Sequence, residues 1–425
     1  MEIYRERLCK AVASWGWPSN GVESSFCDYS SSRKRAAAET TPAIYELQGA
    51  PTATVPLQRF HKGPYTIPRD KANVRFSDVN QLLYGLNDVL GTEYTIERPG
   101  LQACLQGYLD ESCDFGQVYG HLRPWWAKDN FHRIAVLMQQ RKDEDAQLRK
   151  NAVDGDCIVN PHIPPPNVWA VSHSWKEASK RRARKTRING KTWAVPLPLE
   201  TDLHGVRIEL LNLGAEYVFL DVLCLRQHDP QTVGQEFRRK KEWRLDVPTI
   251  GYVYQPLRVT VVYFNGLGEE FLLAPPGGLK SPCHWFMRVW TLQEATQYWL
   301  PGGLTHKSLD ISIPRPNMQS FYSRLHDVLQ SSTTASASDP DLFRTLAAIR
   351  DRRFSSPVDS IAGLAYPLRC KTLPIYNADM DLEDAWEALI QSMSPLQRLM
   401  LLICWRGPGD SRAGGYTWRP TWRQV

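Results

Sequence analysis

The segment Tyr217-Val-Phe-Leu-Asp-Val-Leu223 decides the fold class of this chain, because it is apolar at nearly every position. Such a run is typical of a central strand in a parallel sheet that is covered on both faces. Two further short runs, Val168-Trp-Ala-Val-Ser172 and Arg258-Val-Thr-Val-Val-Tyr-Phe264, predict neighbouring strands. Between the first two runs, apolar residues recur at helical spacing over 203–213, and Gly214 predicts the end of that helix. The alternation predicts an α/β domain with a doubly wound, mainly parallel sheet at residues 161–305.

The regions on either side of this domain differ from it in composition. Residues 1–60 are rich in serine and alanine and carry a basic cluster, which predicts a disordered or irregular segment. Residues 61–160 have helical apolar spacing and end at a proline-rich run at 161–166, which breaks regular structure. Residues 306–425 have helical spacing too, interrupted by a serine-rich flexible stretch. The sequence therefore predicts a helical N-terminal extension and a mostly helical C-terminal region.

Composition and cysteine usage narrow the classes of protein to which this chain can belong. Over 425 residues the formal net charge is +6, a mild excess that does not by itself indicate a nucleic-acid partner. The nine cysteines are scattered without a C-x-x-C pair, so neither a zinc module nor a disulfide scaffold is predicted. The N-terminus lacks the apolar core of a secretory signal, and no apolar run approaches the ~20 residues that span a bilayer. We therefore expect an intracellular protein, cytoplasmic or nuclear, with no metal, no cofactor and no membrane partner.

A basic segment, Lys176-Glu-Ala-Ser-Lys-Arg-Arg-Ala-Arg-Lys-Thr-Arg187, follows the first predicted strand. It could be a solvated surface loop, a nuclear-localisation signal or a phosphate-binding edge. Nucleic-acid modules combine such charge with groove-entering helices or stacking aromatics, which the sequence does not show, so nucleic acid is not an expected partner. A surface loop is the leading interpretation, and its position near the edge of the sheet would let it attract an anionic nucleotide.

Polar side chains follow the predicted strands at the edge where open parallel sheets bind ligands. The segment Arg288-Val-Trp-Thr-Leu-Gln-Glu294 comes after the third strand. On a helix, Trp290 and Glu294 would share one face, which places an indole beside a carboxylate. Glu294 is therefore the candidate catalytic residue. The candidate substrate-binding residues are Ser172, His173, Ser174, Trp175, Asp221, Arg226 and Trp290.

Each of these residues also has a purely structural interpretation. Trp290 could be a core residue next to a solvated Glu294, which is the common meaning of such a helical pair. Asp221 could simply accept hydrogen bonds from loop amides, and His173 could be a satisfied structural histidine. The residues taken alone leave both interpretations open.

Three segments resemble the motifs of the fungal heterokaryon-incompatibility (HET) domain in order and spacing. They are Trp169-Ala-Val-Ser-His-Ser-Trp175, Tyr217-Val-Phe-Leu-Asp-Val-Leu-Cys-Leu-Arg-Gln227 and Arg288-Val-Trp-Thr-Leu-Gln-Glu294. The first departs from the family, since His173 stands where a tyrosine is usual and Lys176 where a glycine is usual. The resemblance implies a role in nonself recognition, in which such domains trigger the death of incompatible fused cells. The partner would be a second copy of the chain or another incompatibility protein of the NLR type.

HET domains are in turn similar to TIR domains, some of which cleave NAD, and this implies a flavodoxin/TIR-like sheet. The essential TIR glutamate lies in a W-C-x-x-E-like helix after the third strand, and Trp290-Thr-Leu-Gln-Glu294 has the same place in the order. NAD would then be a substrate, and the carboxylate would stabilise the oxocarbenium-like ribose that nicotinamide leaves behind. Whether the chain is an enzyme stays open. A non-catalytic signalling or self-association module is the alternative, and a basic nucleic-acid-binding protein comes third.

Overall fold

The computed structural model has at its centre a four-stranded sheet in which neighbouring strands run parallel. It describes residues 67, 70–128, 131–160, 168–186, 188–189, 193–215, 217–228, 234–254, 259–296, 299–303, 315–333, 342–404 and 419–425. The irregular segment expected at 1–60 lies outside the described residues. A parallel sheet combined with helices makes this an α/β protein, as the sequence predicts. Each helix in the described ranges is too short or too polar to span a bilayer.

Four of the described α-helices precede the central sheet. They are α1 (Val79–Leu90), α2 (Leu101–Asp110), α3 (Phe115–Leu122) and α4 (Ile134–Lys150), and two short strands follow, β1 (Val153–Asp154) and β2 (Cys157–Ile158). Helix α1 begins after Asp78, whose carboxylate accepts a hydrogen bond from the Gln81 amide, and it ends at Gly91 in the left-handed region. These helices share a core with Ile208 and Leu211 of the next region, so they pack directly against it.

The α/β region begins with the strand that the site depends on, β3 (Val168–His173). Its further elements are β4 (Arg181–Lys185), β5 (Ala194–Pro198), α5 (Leu203–Leu213), β6 (Tyr217–Leu220), α6 (Asp221–Cys224), α7 (Gln235–Thr249), β7 (Thr260–Tyr263), α8 (Thr291–Glu294) and β8 (Trp299–Pro301). The helix predicted at 203–213 is confirmed. It is capped by the Asp202 carboxylate and ends at Gly214, whose φ of 114° suits glycine.

The strands of the central sheet lie in the order β6-β3-β7-β8. Val168 pairs with Tyr217 on one side of β3, and Ala170 pairs with Thr260 on the other side. The three predicted strands are therefore confirmed as parallel neighbours. The second is shorter than predicted, because it ends at Leu220 and the next residue begins the helical turn α6. The second and third strands flank the first, so the chain order reverses at β3, which is where open parallel sheets bind ligands.

Both faces of the sheet are covered, as its nearly continuous apolar strands require. On one face, Val171 and Val261 belong to a core that includes Val206 of α5 and Leu197 of β5. On the other face, the neighbouring residue Ala170 belongs to a core formed largely by helices that follow the sheet. Successive residues of β3 thus serve different cores, as the alternation of side chains along a strand dictates.

Helices dominate the described chain after the sheet. The elements are α9 (Arg315–Thr333), α10 (Leu342–Arg350), α11 (Asp359–Ala362), β9 (Leu373–Pro374), α12 (Leu382–Ser392) and α13 (Pro395–Cys404). Strand β9 pairs antiparallel with β2, which joins the chain before the sheet to the chain after it. One core contains Ile158, Ala170 and Trp386, which come from three different predicted domains. The boundaries at 160 and 305 therefore stay predictions.

The basic segment after β3 is not the surface loop that was its leading interpretation. Strand β4 pairs antiparallel with β5, from Arg181 opposite Pro198 to Lys185 opposite Ala194. Val195 and Leu197 of β5 are buried, whereas Arg182 and Arg184 of β4 are exposed. The charge is solvated, as expected, but it is carried by a two-stranded ribbon that the core holds in place.

A buried carboxylate joins α5 to the sheet. Glu209 is 1% exposed and accepts hydrogen bonds from the Tyr263 hydroxyl at 2.6 Å and from the Gly303 amide at 2.9 Å. Glu209→Ala leaves both donors buried without this acceptor, so we expect the free energy of unfolding to fall by about 3 kcal/mol. Tyr263→Phe takes one donor from the buried carboxyl group and leaves the Gly303 bond in place, so it is expected to cost less, about 1–2 kcal/mol. Urea unfolding followed by tryptophan fluorescence measures both, and equal losses would contradict this account.

Candidate functional site

Four polar side chains of the predicted site meet at the carboxyl edge of the sheet. Ser172 and His173 are the last residues of β3, with exposed fractions of 0% and 7%. Asp221 comes directly after the neighbouring strand β6, and Glu294 is the last residue of α8. Because parallel strands end at the same edge, these side chains gather beside the point where the strand order reverses.

A short hydrogen-bonded relay holds the Glu294 carboxyl group. The Ser172 hydroxyl donates to Oε2 of Glu294. The indole Nε1 of Trp285 donates to the same hydroxyl oxygen at 2.6 Å, so the proton of Ser172 is directed at the carboxylate. Trp285 is 1% exposed and packs edge-on against Phe264, with ring centroids 5.3 Å apart. A buried aromatic core thereby fixes the orientation of the candidate catalytic group.

The environment of Glu294 raises the pKa of its carboxyl group into the neutral range. Its side chain is part-buried, and withdrawal from water raises the pKa of Glu294 to about 7. The Ser172 hydrogen bond opposes this rise in pKa, and so do the positive charges of His173 and Arg288. The negative charge of Asp221 adds to it. At neutral pH both the acid and the carboxylate are therefore populated, which is the condition that suits a group active in catalysis.

The surroundings of His173 favour its protonated, cationic form. Its Nε2 lies 2.7 Å from Oδ1 of Asp221, and its Nδ1 lies 3.1 Å from the Ser174 carbonyl oxygen. Both partners only accept hydrogen bonds, so both ring nitrogens must carry a proton. Burial by itself lowers the pKa of His173, but the charge and the hydrogen bond of Asp221 outweigh it and raise that pKa above its ordinary value. The site thus contains a buried imidazolium–carboxylate pair.

The Asp221 carboxylate is fixed from two sides. The Val222 amide, in the first turn of α6, donates to Oδ1 at 2.6 Å, and His173 donates to the same oxygen. The Asp221 side chain is 25% exposed, so it is mostly buried near the carboxyl end of its strand, as predicted. Both its structural interpretation, which is bonding to a loop amide, and its place in the candidate site therefore hold.

Two arginines that the sequence did not single out as site residues lie near Glu294. The Arg352 guanidinium is 7% exposed, and it donates to the Arg288 carbonyl and to the Thr291 hydroxyl, both at 2.8 Å. Burial lowers the pKa of Arg352 to about 10, while the nearby Glu294 opposes this. Arg288 also interacts electrostatically with Glu294. Arg288 and Trp285 could have been found, since they lie in or beside the quoted motif, whereas nothing in the sequence around Arg352 points to this site.

Arg226 and Trp290 make contacts that the sequence did not predict. Arg226 was expected at the rim, but its guanidinium donates to Glu242 at 2.9 Å and to Gln235, both on α7. Helix α8 is shorter than predicted and begins only after Trp290. The Trp290 ring packs with Tyr376 at 6.4 Å. A second indole, that of Trp285, reaches the Glu294 carboxylate through Ser172. The shelf expected of Trp290 stays a prediction.

The remaining predicted residues do lie beside the His173 ring. The Trp175 ring centroid is 5.5 Å from that of His173. Ser174 is 1% exposed, and its hydroxyl has no hydrogen-bond partner within the described part of the chain. The amide Nε2 of the buried Gln293 is likewise without a partner there. Buried polar atoms of this kind are available to a ligand. The described residues include no group of three or more His, Cys, Asp or Glu that could hold a metal ion.

Removing Asp221 tests the buried ion pair. Asp221→Ala deprives the Val222 amide and His173 of their acceptor, so we expect the free energy of unfolding to fall by roughly 1–3 kcal/mol. Without the carboxylate, burial dominates, and the pKa of His173 should fall below its ordinary value of 6.5. Nitrogen NMR titration of the histidine side chains measures this pKa in both proteins. An unchanged pKa would show that the pair does not form.

Glu294 should make the stability of the protein depend on pH. Its pKa in the folded chain, about 7, is above its ordinary value of 4.5, so the folded state keeps a proton that the unfolded state releases. The stability that this proton provides is present below pH 4.5 and is lost as pH rises through 7. Between pH 5 and pH 8, Glu294→Gln should therefore gain about 2 kcal/mol relative to the wild type. Urea unfolding at both pH values measures this, and a gain that does not vary with pH would contradict a raised pKa.

Comparisons of the chain with family models, with curated proteins and with solved structures find no match. The resemblance to HET and TIR domains accordingly stays a prediction that rests on the three quoted segments. What the site does has to follow from the chemistry of the residues gathered at the edge of the sheet.

Proposed function

We propose that this chain hydrolyses the glycosidic bond of NAD or a closely related nucleotide, with Glu294 as the catalytic carboxylate. The single observation that carries the proposal is the hydrogen-bonded, part-buried Glu294 with a pKa of about 7, at the edge where parallel sheets bind ligands. A carboxyl group in this state can stabilise a developing positive charge, and it can also accept a proton.

The chemistry of nicotinamide loss matches what such a carboxylate offers. When the bond between ribose C1′ and the pyridine nitrogen breaks, its electron pair stays on nitrogen and nicotinamide leaves as a neutral molecule. The positive charge then resides on the ribose as an oxocarbenium-like species, which the Glu294 carboxylate stabilises across a short distance. Water adds to C1′ and gives its proton to Glu294, so the products are nicotinamide, the ribosyl nucleotide and one proton. A cationic substrate ring would also favour the ionised form of Glu294.

Neighbouring groups support a nucleotide as the substrate. The unpartnered Ser174 hydroxyl and Gln293 amide can bond to ribose hydroxyls, and Trp175 offers an aromatic ring next to His173. The His173–Asp221 pair keeps two opposite charges fixed next to the reacting carbon, which needs no reorganisation during the reaction.

The fold and the resemblance support the same proposal at a coarser level. The order β6-β3-β7-β8 is 2-1-3-4 in terms of the sequence of these strands, which is the order of flavodoxin-like sheets. This agrees with the TIR-like fold that the resemblance implies. We therefore propose that the reaction belongs to a HET-type effector of fungal nonself recognition, in which loss of the nucleotide kills the incompatible fused cell.

A second candidate function, a non-catalytic module that self-associates, is favoured by the surface of α13. Its residues Leu396, Leu399, Leu402 and Ile403 are between 47% and 67% exposed. Their spacing of three and four places them along one helical stripe, and exposed apolar stripes often mark contacts between proteins. Under this alternative the Glu294 cluster is a structural device, so the two functions differ in whether nicotinamide is released.

Incubation of the purified protein with NAD, with nicotinamide followed by chromatography, separates these functions. Glu294→Gln keeps the shape of the side chain and removes its charge, so we expect release to fall by about 10³-fold. Glu200→Gln, at an exposed glutamate, is the matched control and should leave the rate unchanged. If the wild type releases nicotinamide no faster than buffer does, or if both variants retain its rate, the proposed hydrolysis is wrong.

The pH dependence of the reaction rate provides a second test. It would not change between variants if Glu294 and Ser172 had only structural roles. Because the carboxylate is the active form, kcat/KM, which reports the pKa values of the free enzyme, should rise with pH through about 7 in the wild type. Ser172→Ala removes a hydrogen bond that lowers the pKa of Glu294, so the midpoint should move to higher pH, and kcat should fall by about 10–100-fold as the carboxyl group loses its orientation. A midpoint that is the same in both proteins would contradict the role given to Ser172.

A further inference from the structure

We propose that Arg181 of β4 and Arg288 form a binding site for the diphosphate of the nucleotide, beside the Glu294 site. This inference rests on the proposed function, since it names the part of the substrate that the ribbon β4–β5 would hold. It gives the basic ribbon a role that the carboxylate chemistry does not require.

The ribbon is anchored so that the first residue of β4 stays near the site. The indole Nε1 of Trp193, just before β5, donates to the Val222 carbonyl at 3.0 Å, next to Asp221. The amide of Leu199 donates to the Lys180 carbonyl at 3.0 Å, which closes the ribbon at its base. Arg181 therefore begins a fixed strand, unlike an arginine on a free loop.

The ring of Trp175 lies between Arg181 and the buried His173–Asp221 pair. Its guanidinium carbon is 4.9 Å from the centroid of the Trp175 ring, whose centroid is 5.5 Å from that of His173. Stacking on the indole orients the planar guanidinium. Within the described part of the chain, its buried Nε has no hydrogen-bond partner and no carboxylate lies within ion-pairing distance of it. The N–H donors of the Arg181 guanidinium are therefore available to a bound anion.

Arg288 is the second cation of the proposed site. The positive charge of Arg181 lies close enough to lower the pKa of Arg288, in addition to the larger effect of burial. The Arg288 side chain donates to the Ser355 hydroxyl at 3.2 Å, and no described carboxylate forms an ion pair with it. Asp359 has the largest electrostatic effect on Arg288 of any charged group, and it accepts hydrogen bonds from the Ser355 and Ser356 amides and from a tyrosine hydroxyl.

Two guanidinium groups held near each other repel one another. The carboxylates of Asp359 and Glu294 offset part of this repulsion at Arg288, and a bound anion would offset more of it. Lys176 shows the contrast, because its ammonium is neutralised by Glu269 at 2.6 Å. A diphosphate provides oxygens for both forks, and in a dinucleotide it lies one ribose away from the glycosidic bond next to Glu294. A polynucleotide would instead be expected to use the exposed Arg182 and Arg184 on the same strand.

Calorimetric titration with ADP, compared with adenosine, tests the site without requiring catalysis. We expect ADP to bind the wild type and Glu294→Gln alike, and to bind Arg181→Gln and Arg288→Gln at least tenfold more weakly. Adenosine, which lacks phosphate, should bind all four proteins equally weakly. Arg182→Gln is the matched control, since it removes the same charge from the opposite face of β4 and should bind ADP like the wild type. Arg181→Lys keeps the positive charge but lacks the paired N–H donors of a guanidinium, so its affinity for ADP should lie between those of the wild type and Arg181→Gln.

Thermal melting of each variant checks that it is folded, and Arg181→Gln decides the matter if Arg288→Gln fails to fold. Unchanged ADP affinity in Arg181→Gln overturns the inference, and so does an equal loss in Arg182→Gln, which would indicate only a general attraction of anions. The failure of the proposed function can be told apart from the failure of this inference. If the wild type binds ADP, Arg181→Gln does not, and neither releases nicotinamide, the diphosphate site is supported and the proposed hydrolysis is wrong. Nicotinamide release with an unchanged KM in Arg181→Gln supports the hydrolysis and removes this site.

Discussion

The hydrogen bond from Ser172 to Glu294 is the contact on which the candidate site depends. It joins residues that are 122 positions apart, so it exists only when β3 and α8 are both in place. A carboxyl group withdrawn from water is costly unless donors and cations surround it. Here the cost is offset by a serine that Trp285 orients, and by Arg352, which fixes the start of α8 through the Thr291 hydroxyl. The sheet, the aromatic core and the helices after the sheet therefore contribute to one carboxyl group.

Much of the fold could be predicted from the sequence, because a buried parallel strand has a simple signature. The runs beginning at Val168 and Tyr217 are apolar without alternation, and both are neighbours in the sheet. Ends of elements were less predictable. Nothing in the run Tyr217–Leu223 shows that the backbone turns at Asp221, since Val222 and Leu223 would fit a strand as well as a helical turn. The charge pattern of the basic segment likewise predicted solvation correctly, but the pairing of Arg181 with Pro198 depends on a distant strand.

Contacts with distant parts of the chain also decide which site residues could be predicted from the sequence and which could not. Ser172, Asp221 and Glu294 follow from the rule that the ends of parallel strands meet at one edge. Arg226 follows from the same rule, and its guanidinium is bound by the carboxylate of Glu242 on α7 at 2.9 Å. Arg352 lies beyond the end of α10 and reaches the site only through the packing of the helices that follow the sheet. The order of elements in the sequence thus predicts which residues lie near the sheet edge. Which carboxylate or carbonyl each charged side chain then binds depends on the packing of distant elements.

These contacts leave the site with more positive than negative charge. Both nitrogens of His173 face acceptors, which favours its cationic form, and Arg288 and Arg352 add two further positive charges nearby. Against these three stand the carboxylates of Asp221 and Asp359 and a Glu294 whose pKa of about 7 leaves it half neutral at neutral pH. Burial makes this excess expensive, since low dielectric surroundings strengthen repulsion between like charges. A ligand with negative charge at one end relieves the repulsion among the arginines, and positive charge developing near Glu294 favours its ionised form. The proposed dinucleotide substrate fits this charge balance, because its diphosphate is anionic and positive charge develops on its ribose as nicotinamide leaves.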